Sequence, residues 1–234
     1  MHFERPGSTA LTISENTEYR WLSINDAVQT VMSLHSPHQP VLPHLSALLL
    51  CFYYRQRPQK VTELGLGGGS LQRFFRYHFP LCEIRSIEYS ARVIRLFEQW
   101  FWPAGSPCQI VQQDAQQAIK DVAAQDLLFI DLFAEQGSPD FVFSQAFYQD
   151  CCNALNPDGL MVINLLSASW LQSEQLLEIL SELQLQFRIL AVPGYQNKVI
   201  FAARQALPVL DFDSQLQQVA RQYQLDLNAV VFMR

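Results

Sequence analysis

A run of glycines behind a short apolar strand restricts this chain more than anything else in its sequence. In Lys60-Val-Thr-Glu-Leu-Gly-Leu-Gly-Gly-Gly-Ser70, residues 61–64 read as a buried strand. Glycines at 65, 67, 68 and 69 then strip every Cβ from the turn into a helix beginning near Ser70. A bare backbone there lets a ligand approach the main chain closely. The amphipathic stretch Leu71–His78 follows, and Glu88 ends the next strand about 20 residues on, where a carboxylate can accept hydrogen bonds from both hydroxyls of a ribose. Strand, glycine turn, helix and acidic residue together imply a nucleotide or nucleoside site.

The chain around this turn alternates strand and helix, the mark of a parallel sheet covered on both faces. Strands are expected at 61–64, 83–88, 109–112, 127–131 and 160–165, and helices near 70–78, 91–102, 115–122, 141–155 and 169–184. Two further apolar segments, starting at Phe187 and Lys198, flank Pro193-Gly-Tyr-Gln-Asn197 and read as a closing hairpin with one antiparallel strand. Upstream, Leu11-Thr-Ile-Ser, Tyr19–Ile24 and Val28–Met32 alternate as three short strands of a small antiparallel element. A proline-punctuated connector, Ser36–His44, leads to a buried helix over Leu45–Arg55, and Asp211–Leu225 carries a helical apolar stripe that should pack back on the sheet. The fold expected is α/β: a doubly wound, mostly parallel, seven-stranded sheet with an antiparallel closing hairpin. Residues 1–44 form the N-terminal β element and connector, and 45–234 the main domain.

Bulk properties exclude several roles. With 234 residues and 49% hydrophobic content the chain can bury a full α/β core. A net charge of -6, with only 16 dispersed lysines and arginines, argues against nucleic-acid binding, which draws on clustered cations. The five cysteines form no CxxC pair, and adjacent Cys151 and Cys152 read as helix packing. The longest apolar run, Leu45–Tyr54, is about half of what spans a bilayer, so no membrane partner and a cytoplasmic location are expected. His35, His38 and His44 sit among prolines without metal-ligand spacing, and no metal is expected. Phe97, Trp100, Phe101 and Trp102 read as a helix packing face.

Ligands in an open parallel sheet gather at the carboxyl ends of the strands. Glu63, Glu88, Asp114 and Asp131 fall at four successive strand ends and would face one crevice. Glu63 and Asp114 also suit helix capping, Asp114 directly before Ala115-Gln-Gln-Ala118. Asp131 closes Asp126-Leu-Leu-Phe-Ile-Asp131, so its side chain would emerge where a cofactor's reactive end lies, either as a general base or as an anchor for positive charge. The loop beyond it adds Glu135 and Asp140 as candidate substrate contacts.

The glycine loop, Ile87-Glu88, Gln113-Asp114-Ala115, Leu128–Asp131, Phe147-Tyr148 and Leu155-Asn-Pro-Asp-Gly159 resemble the class I S-adenosylmethionine-dependent Rossmann-like fold. Within that fold they resemble the spermidine synthase-like (polyamine aminopropyltransferase) family, over roughly residues 10 to 205. The resemblance implies that Glu88 binds the ribose, Asp114 and Ala115 the adenine edge, and Gln29 the methionine-derived side, with Asp131 as the catalytic aspartate. It also implies a homodimer. Three departures bear on the reaction. Gly68 stands where the family has an aspartate that recognises the amine of decarboxylated S-adenosylmethionine. Ala134 replaces a second substrate aspartate, and Pro43-His44-Leu45 is what remains of a Tyr-His-Glu element. Glu63-Leu-Gly-Leu-Gly67, in contrast, matches the acidic opening of the methyltransferase motif, where the carboxylate can receive the methionine ammonium.

The leading expectation is therefore a transferase that binds S-adenosylmethionine and methylates a small acceptor. The alternative is aminopropyl transfer from decarboxylated S-adenosylmethionine, with a diamine pocket rebuilt from Glu135, Asp140, Glu15 or Asp26. A third reading keeps nucleoside binding without turnover.

Overall fold

Near-continuous apolar runs such as Leu127-Leu-Phe-Ile130 must be covered on both sides. The computed structural model, which describes residues 11–25, 27–103, 106–133, 137–166 and 169–233, buries all four of these side chains. Strands β1 (Leu11–Glu15), β2 (Tyr19–Ile24) and β3 (Ala27–Ser33) make an antiparallel three-stranded sheet in that order. The main sheet contains β4 (Lys60–Leu64), β5 (Glu83–Glu88), β6 (Gln109–Gln112), β7 (Gln125–Ile130), β8 (Leu155–Leu166), β9 (Gln186–Ala191), β10 (Asn197–Ala203) and β11 (Val231–Met233). Its order is β6-β5-β4-β7-β8-β10-β9-β11. The first five of these run parallel, and β10 enters antiparallel between β8 and β9.

The sheet thus has the seven expected strands and an eighth. β11 pairs antiparallel with β9 through three residues, too few for an alternating pattern to be read.

Alternation along the strands sends side chains to two cores. Val61, Leu127, Phe129 and Val162 face α1 (Pro43–Leu49), α2 (Ser70–His78) and α7 (Ser214–Tyr223). Leu64, Leu128, Ile130 and Ile163 face α4 (Ala115–Ala118), α5 (Gln145–Ala154) and α6 (Trp170–Glu182). A third cluster joins Leu22 and Met32 of the N-terminal sheet to Leu66 of the glycine turn and to Phe97 and Phe101, which follow α3 (Ala91–Leu96) in a π-type turn. The small sheet is thereby seated on the glycine turn, and Phe97 and Phe101 are packing residues while Trp100 is partly exposed.

Several helices are shorter than their apolar patterns suggest. The expected helix over Leu45–Arg55 is α1 followed by a 3₁₀ turn at Leu50–Tyr53, and 115–122 is α4 followed by a 3₁₀ turn at Ile119–Asp121. The 141–155 segment opens with a 3₁₀ turn, Asp140–Phe143, before Ser144 caps α5. Apolar spacing fixes which face is buried but does not distinguish a 3₁₀ from an α turn over one or two turns. The predicted tail helix is α7, whose Tyr223 lies against Phe52 of the 3₁₀ turn, with ring centroids 4.8 Å apart. Among the described residues no helix is long and apolar enough to cross a membrane.

At the amino ends of the strands, Asp126 ties β4, β7 and β8 together. Its Oδ2 accepts the backbone N–H groups of Gln59 (2.7 Å) and Lys60 (3.0 Å), and its Oδ1 accepts Asn156 Nδ2 (2.7 Å). Burial pushes this carboxyl up, but the bonds from Gln59, Lys60 and Asn156 outweigh it and hold the group below the ordinary value. A depressed folded-state value gives stability that is present above the unfolded value and lost as pH falls through the folded one. Asp126→Ala is expected to lower the unfolding free energy at neutral pH by about 1–3 kcal/mol in urea titrations, with the difference shrinking toward about pH 3.

Candidate functional site

The order of the main sheet reverses between β4 and β7, and the crevice opens at their carboxyl ends. Asp131 N donates to Leu64 O (2.9 Å) and Gly65 N to Ile87 O (2.8 Å), so the first residue after each strand is tied to its neighbour. A Cβ on Gly65, whose φ is +93°, would overlap the Asp131 carbonyl oxygen. Nothing lies within 4 Å of where a Gly67 Cβ would project, which leaves that part of the turn open to a ligand. Gly69 is the N-cap of α2 and lies against the Phe97 ring; unlike Gly65, Gly67 and Gly68, it does not line the cavity.

Gly68 is closed off differently. A Cβ there would overlap Thr30 Cγ2 and lie 2.8 Å from its Oγ1. Thr30 is only 3% exposed, and its hydroxyl lies 3.3 Å from Ser70 Oγ. Behind the turn, the buried Arg73 donates through Nη1 to Gly68 O and, at 3.3 Å, to Phe101 O, and through Nε to Pro37 O at 2.7 Å. Burial pushes this guanidinium down to about 9, with Glu63 opposing the shift. Neither Thr30 nor Arg73 is recognisable from sequence spacing; the available signal was an arginine on the apolar face of α2, beside Leu71, Phe74 and Phe75.

The turn roofs a cavity of about 530 Å³. Glu88 is held within it by Leu66 N–H on Oε2 (3.1 Å) and Ser90 N–H on Oε1 (2.8 Å), which leaves lone pairs on both oxygens for paired hydroxyls. Asp114 caps α4 through Oδ1, accepting Gln116 N (2.7 Å) and Gln117 N (3.3 Å), and also lines the cavity with Ala115. The capping and ligand readings of Asp114 are thus compatible, since Oδ2 is not consumed by the cap. Gln29 lines the cavity as well. Glu63 is 2% exposed and accepts the Ser86 hydroxyl, which is itself bonded by Gln72 Nε2 at 2.7 Å. Burial drives Glu63 well above the usual carboxyl range, with the Ser86 bond opposing and nearby Asp131 and Glu88 adding to the rise.

Asp131 lines the same cavity, with Leu132, Phe133, Pro139 and Phe141. Its Oδ1 accepts Asn164 Nδ2 at 2.7 Å, and Asn164 Oδ1 in turn accepts Asn197 Nδ2 at 2.9 Å. Burial raises the Asp131 carboxyl to about 6, against the opposing pull of the Asn164 bond. Both asparagines escaped the sequence reading because they lie 33 residues from their partners. His44 also lines the cavity, and burial lowers it to about 4, so it is neutral at pH 7. Asp140 is exposed and outside the cavity lining, because the 3₁₀ turn directs Pro139 and Phe141 there instead. Glu15 pairs with Arg20 on the surface, while Glu135 and Asp26 lie outside the described residues. Among the described residues no cluster of His, Cys, Asp or Glu is placed to hold a metal ion.

Four carboxylates line this cavity and, among the described residues, Arg92 is its one lysine or arginine. That charge balance suits a cationic nucleoside better than a di- or triphosphate, and the open face at Gly67 and the doubly oriented Glu88 fit the ribose of such a group. The fold is the Rossmann-like one shared with methyltransferase-type structures. The chain belongs to the spermine/spermidine synthase domain family, whose pattern matches residues 43–213. A polyamine aminopropyltransferase of Neisseria meningitidis is 30% identical over 167 residues, covering 68% of this chain and 63% of that relative's length. A bovine (Bos taurus) eEF1A lysine and N-terminal methyltransferase is 24% identical over 178 residues, covering 70% of this chain and 25% of that protein. Among solved structures, a probable spermidine synthase from Corynebacterium glutamicum superposes with a TM-score of 0.79 at 18% identity, over 97% of this chain and 88% of that one, a likeness of fold.

Glu88→Gln removes one anionic acceptor while keeping the side chain's size. Calorimetry with S-adenosylhomocysteine is expected to show roughly 10- to 100-fold weaker binding, as charge-assisted bonds contribute about 1.5–3 kcal/mol.

Proposed function

We propose that the chain transfers the methyl group of S-adenosylmethionine to a small acceptor received by Asp131. When bound, the nucleoside's sulfonium supplies an electrophilic methyl carbon, so the protein's task is chiefly in-line positioning. In this reading Glu88 fixes the ribose, Asp114 and Ala115 meet the adenine edge, and Gln29 and Glu63 face the methionine-derived part. The depth of Glu63 suits it to an ammonium, whose charge would favour ionisation of a carboxyl that burial otherwise keeps protonated. Asp131, near 6, is mostly ionised at neutral pH and can take a proton from the acceptor as it is alkylated. The apolar walls beside it limit competition from water.

The observation that carries methyl over aminopropyl transfer is the contact between Gly68 and Thr30. Gly68 cannot supply a carboxylate to hold a transferable aminopropyl ammonium or to repel the carboxylate of the full cofactor. Thr30 fills the space into which any side chain at 68 would project.

Aminopropyl transfer is the second reading, and the relatives favour it, since the polyamine aminopropyltransferases are the more similar by identity. Calorimetry separates the two: S-adenosylmethionine is expected to bind more tightly than its decarboxylated form, and the reverse order, or spermidine formed from putrescine, would establish the second. Asp131→Asn is expected to cut turnover by about 10²–10⁴-fold while the cofactor's dissociation constant stays within about threefold.

A further inference from the structure

The bonds that reach Asp131 come from the far side of the sheet. Asn164, on β8, is 2% exposed, and its amide has two partners of opposite kind. The Asp131 carboxylate can only accept, so the Asn164 amide presents its N–H there, and its oxygen is left to accept Asn197 Nδ2 from the start of β10. A rotated amide would set oxygen against oxygen at the carboxylate, a repulsive contact in a buried place, and would keep its bond to Asn197 only if that amide turned as well. We infer that Asn197 and Asn164 form a positioning relay which holds the Asp131 carboxylate in one orientation, with Oδ2 left for the acceptor, and favours its charged form.

The surrounding charges do not supply this effect. Glu63 on β4 and Glu88 on β5 share the crevice and, as carboxyl groups, offer no positive charge to hold a carboxylate, while Arg73 on α2 is engaged with backbone carbonyls behind the glycine turn. His44, at the start of α1, is neutral at pH 7, and Lys198 on β10 bonds Ser173 Oγ on α6 at 3.0 Å. An N–H donor on Oδ1 is therefore the main influence opposing burial, as charge-assisted bonds do in low-dielectric sites.

The inference rests on Asp131 as the acceptor-facing base, but its test does not require knowing the reaction. In the unliganded protein, the Asp131 side-chain ¹³C carboxyl signal, assigned by its loss in Asp131→Asn, is followed against pH. The wild-type midpoint is expected near 6. Asn164→Leu should raise it by about one pH unit or more, and Asn197→Ala should raise it by less, because a freed Asn164 amide can rotate away. Asn197 is partly exposed, so its variant carries the test if Asn164→Leu does not fold. A folded variant whose midpoint stays at the wild-type value, even with a lowered melting temperature, overturns the relay. Movement of the midpoint as expected, with Asp131→Asn turnover undiminished, would leave the relay standing and remove the assignment of Asp131 as the base.

Discussion

Two strand ends meet at the centre of this molecule with no room for a side chain between them. Gly65 leaves β4 at a φ of +93° directly against the carbonyl of Asp131, which leaves β7. The approach is possible only without a Cβ, and it does two things at once. It turns the chain after β4 into the loop that roofs the cavity, and it fixes the backbone of Asp131. Glycine loop and acidic residue are thus a single piece of backbone geometry, tied by the bonds from Asp131 N to Leu64 O and from Gly65 N to Ile87 O.

Electrostatics distinguishes the residues that this geometry brings together. Glu63, Glu88 and Asp131 share one crevice but differ in what satisfies them. Glu88 is held by two backbone N–H groups, Asp131 by a side-chain amide, and Glu63 by a hydroxyl in a fully buried place. The deeper the group and the weaker its donor, the more burial favours the protonated form. Burial raises both Glu63 and Asp131, each against a different donor, so carboxyls of similar intrinsic acidity are tuned separately within one cavity. Arg73 secures the roof from behind through Gly68 O, using its charge for backbone positioning with the guanidinium out of contact with water.

Much of this was legible in the sequence because it depended on neighbours along the chain. Periods of two and 3.6 placed five parallel strands and the helices between them, and the glycine run located the turn. The acidic strand ends could be read as converging because parallel strands bring their carboxyl ends to one edge. Short segments were less legible. β11 and the 3₁₀ turns at Leu50–Tyr53 and Asp140–Phe143 carry too few residues for a period to register. The latter turn is why Asp140, a polar residue in a loop at the right place, is directed away from the cavity.

The sequence by itself determined seven strands of the sheet, the glycine turn and the acidic residues at the strand ends, since each follows from local spacing and side-chain type. Only the tertiary structure decided what backs those groups. Thr30 is 38 positions before Gly68 and Asn164 is 33 after Asp131, while Asn197 is a further 33 beyond Asn164. No periodicity links such positions. They meet because the small N-terminal sheet is seated on the glycine turn by apolar packing, and because β10 inserts antiparallel beside β8. Long-range packing thus determines which space at Gly68 is filled and which donor reaches Asp131, the two details on which the chemistry of the site turns.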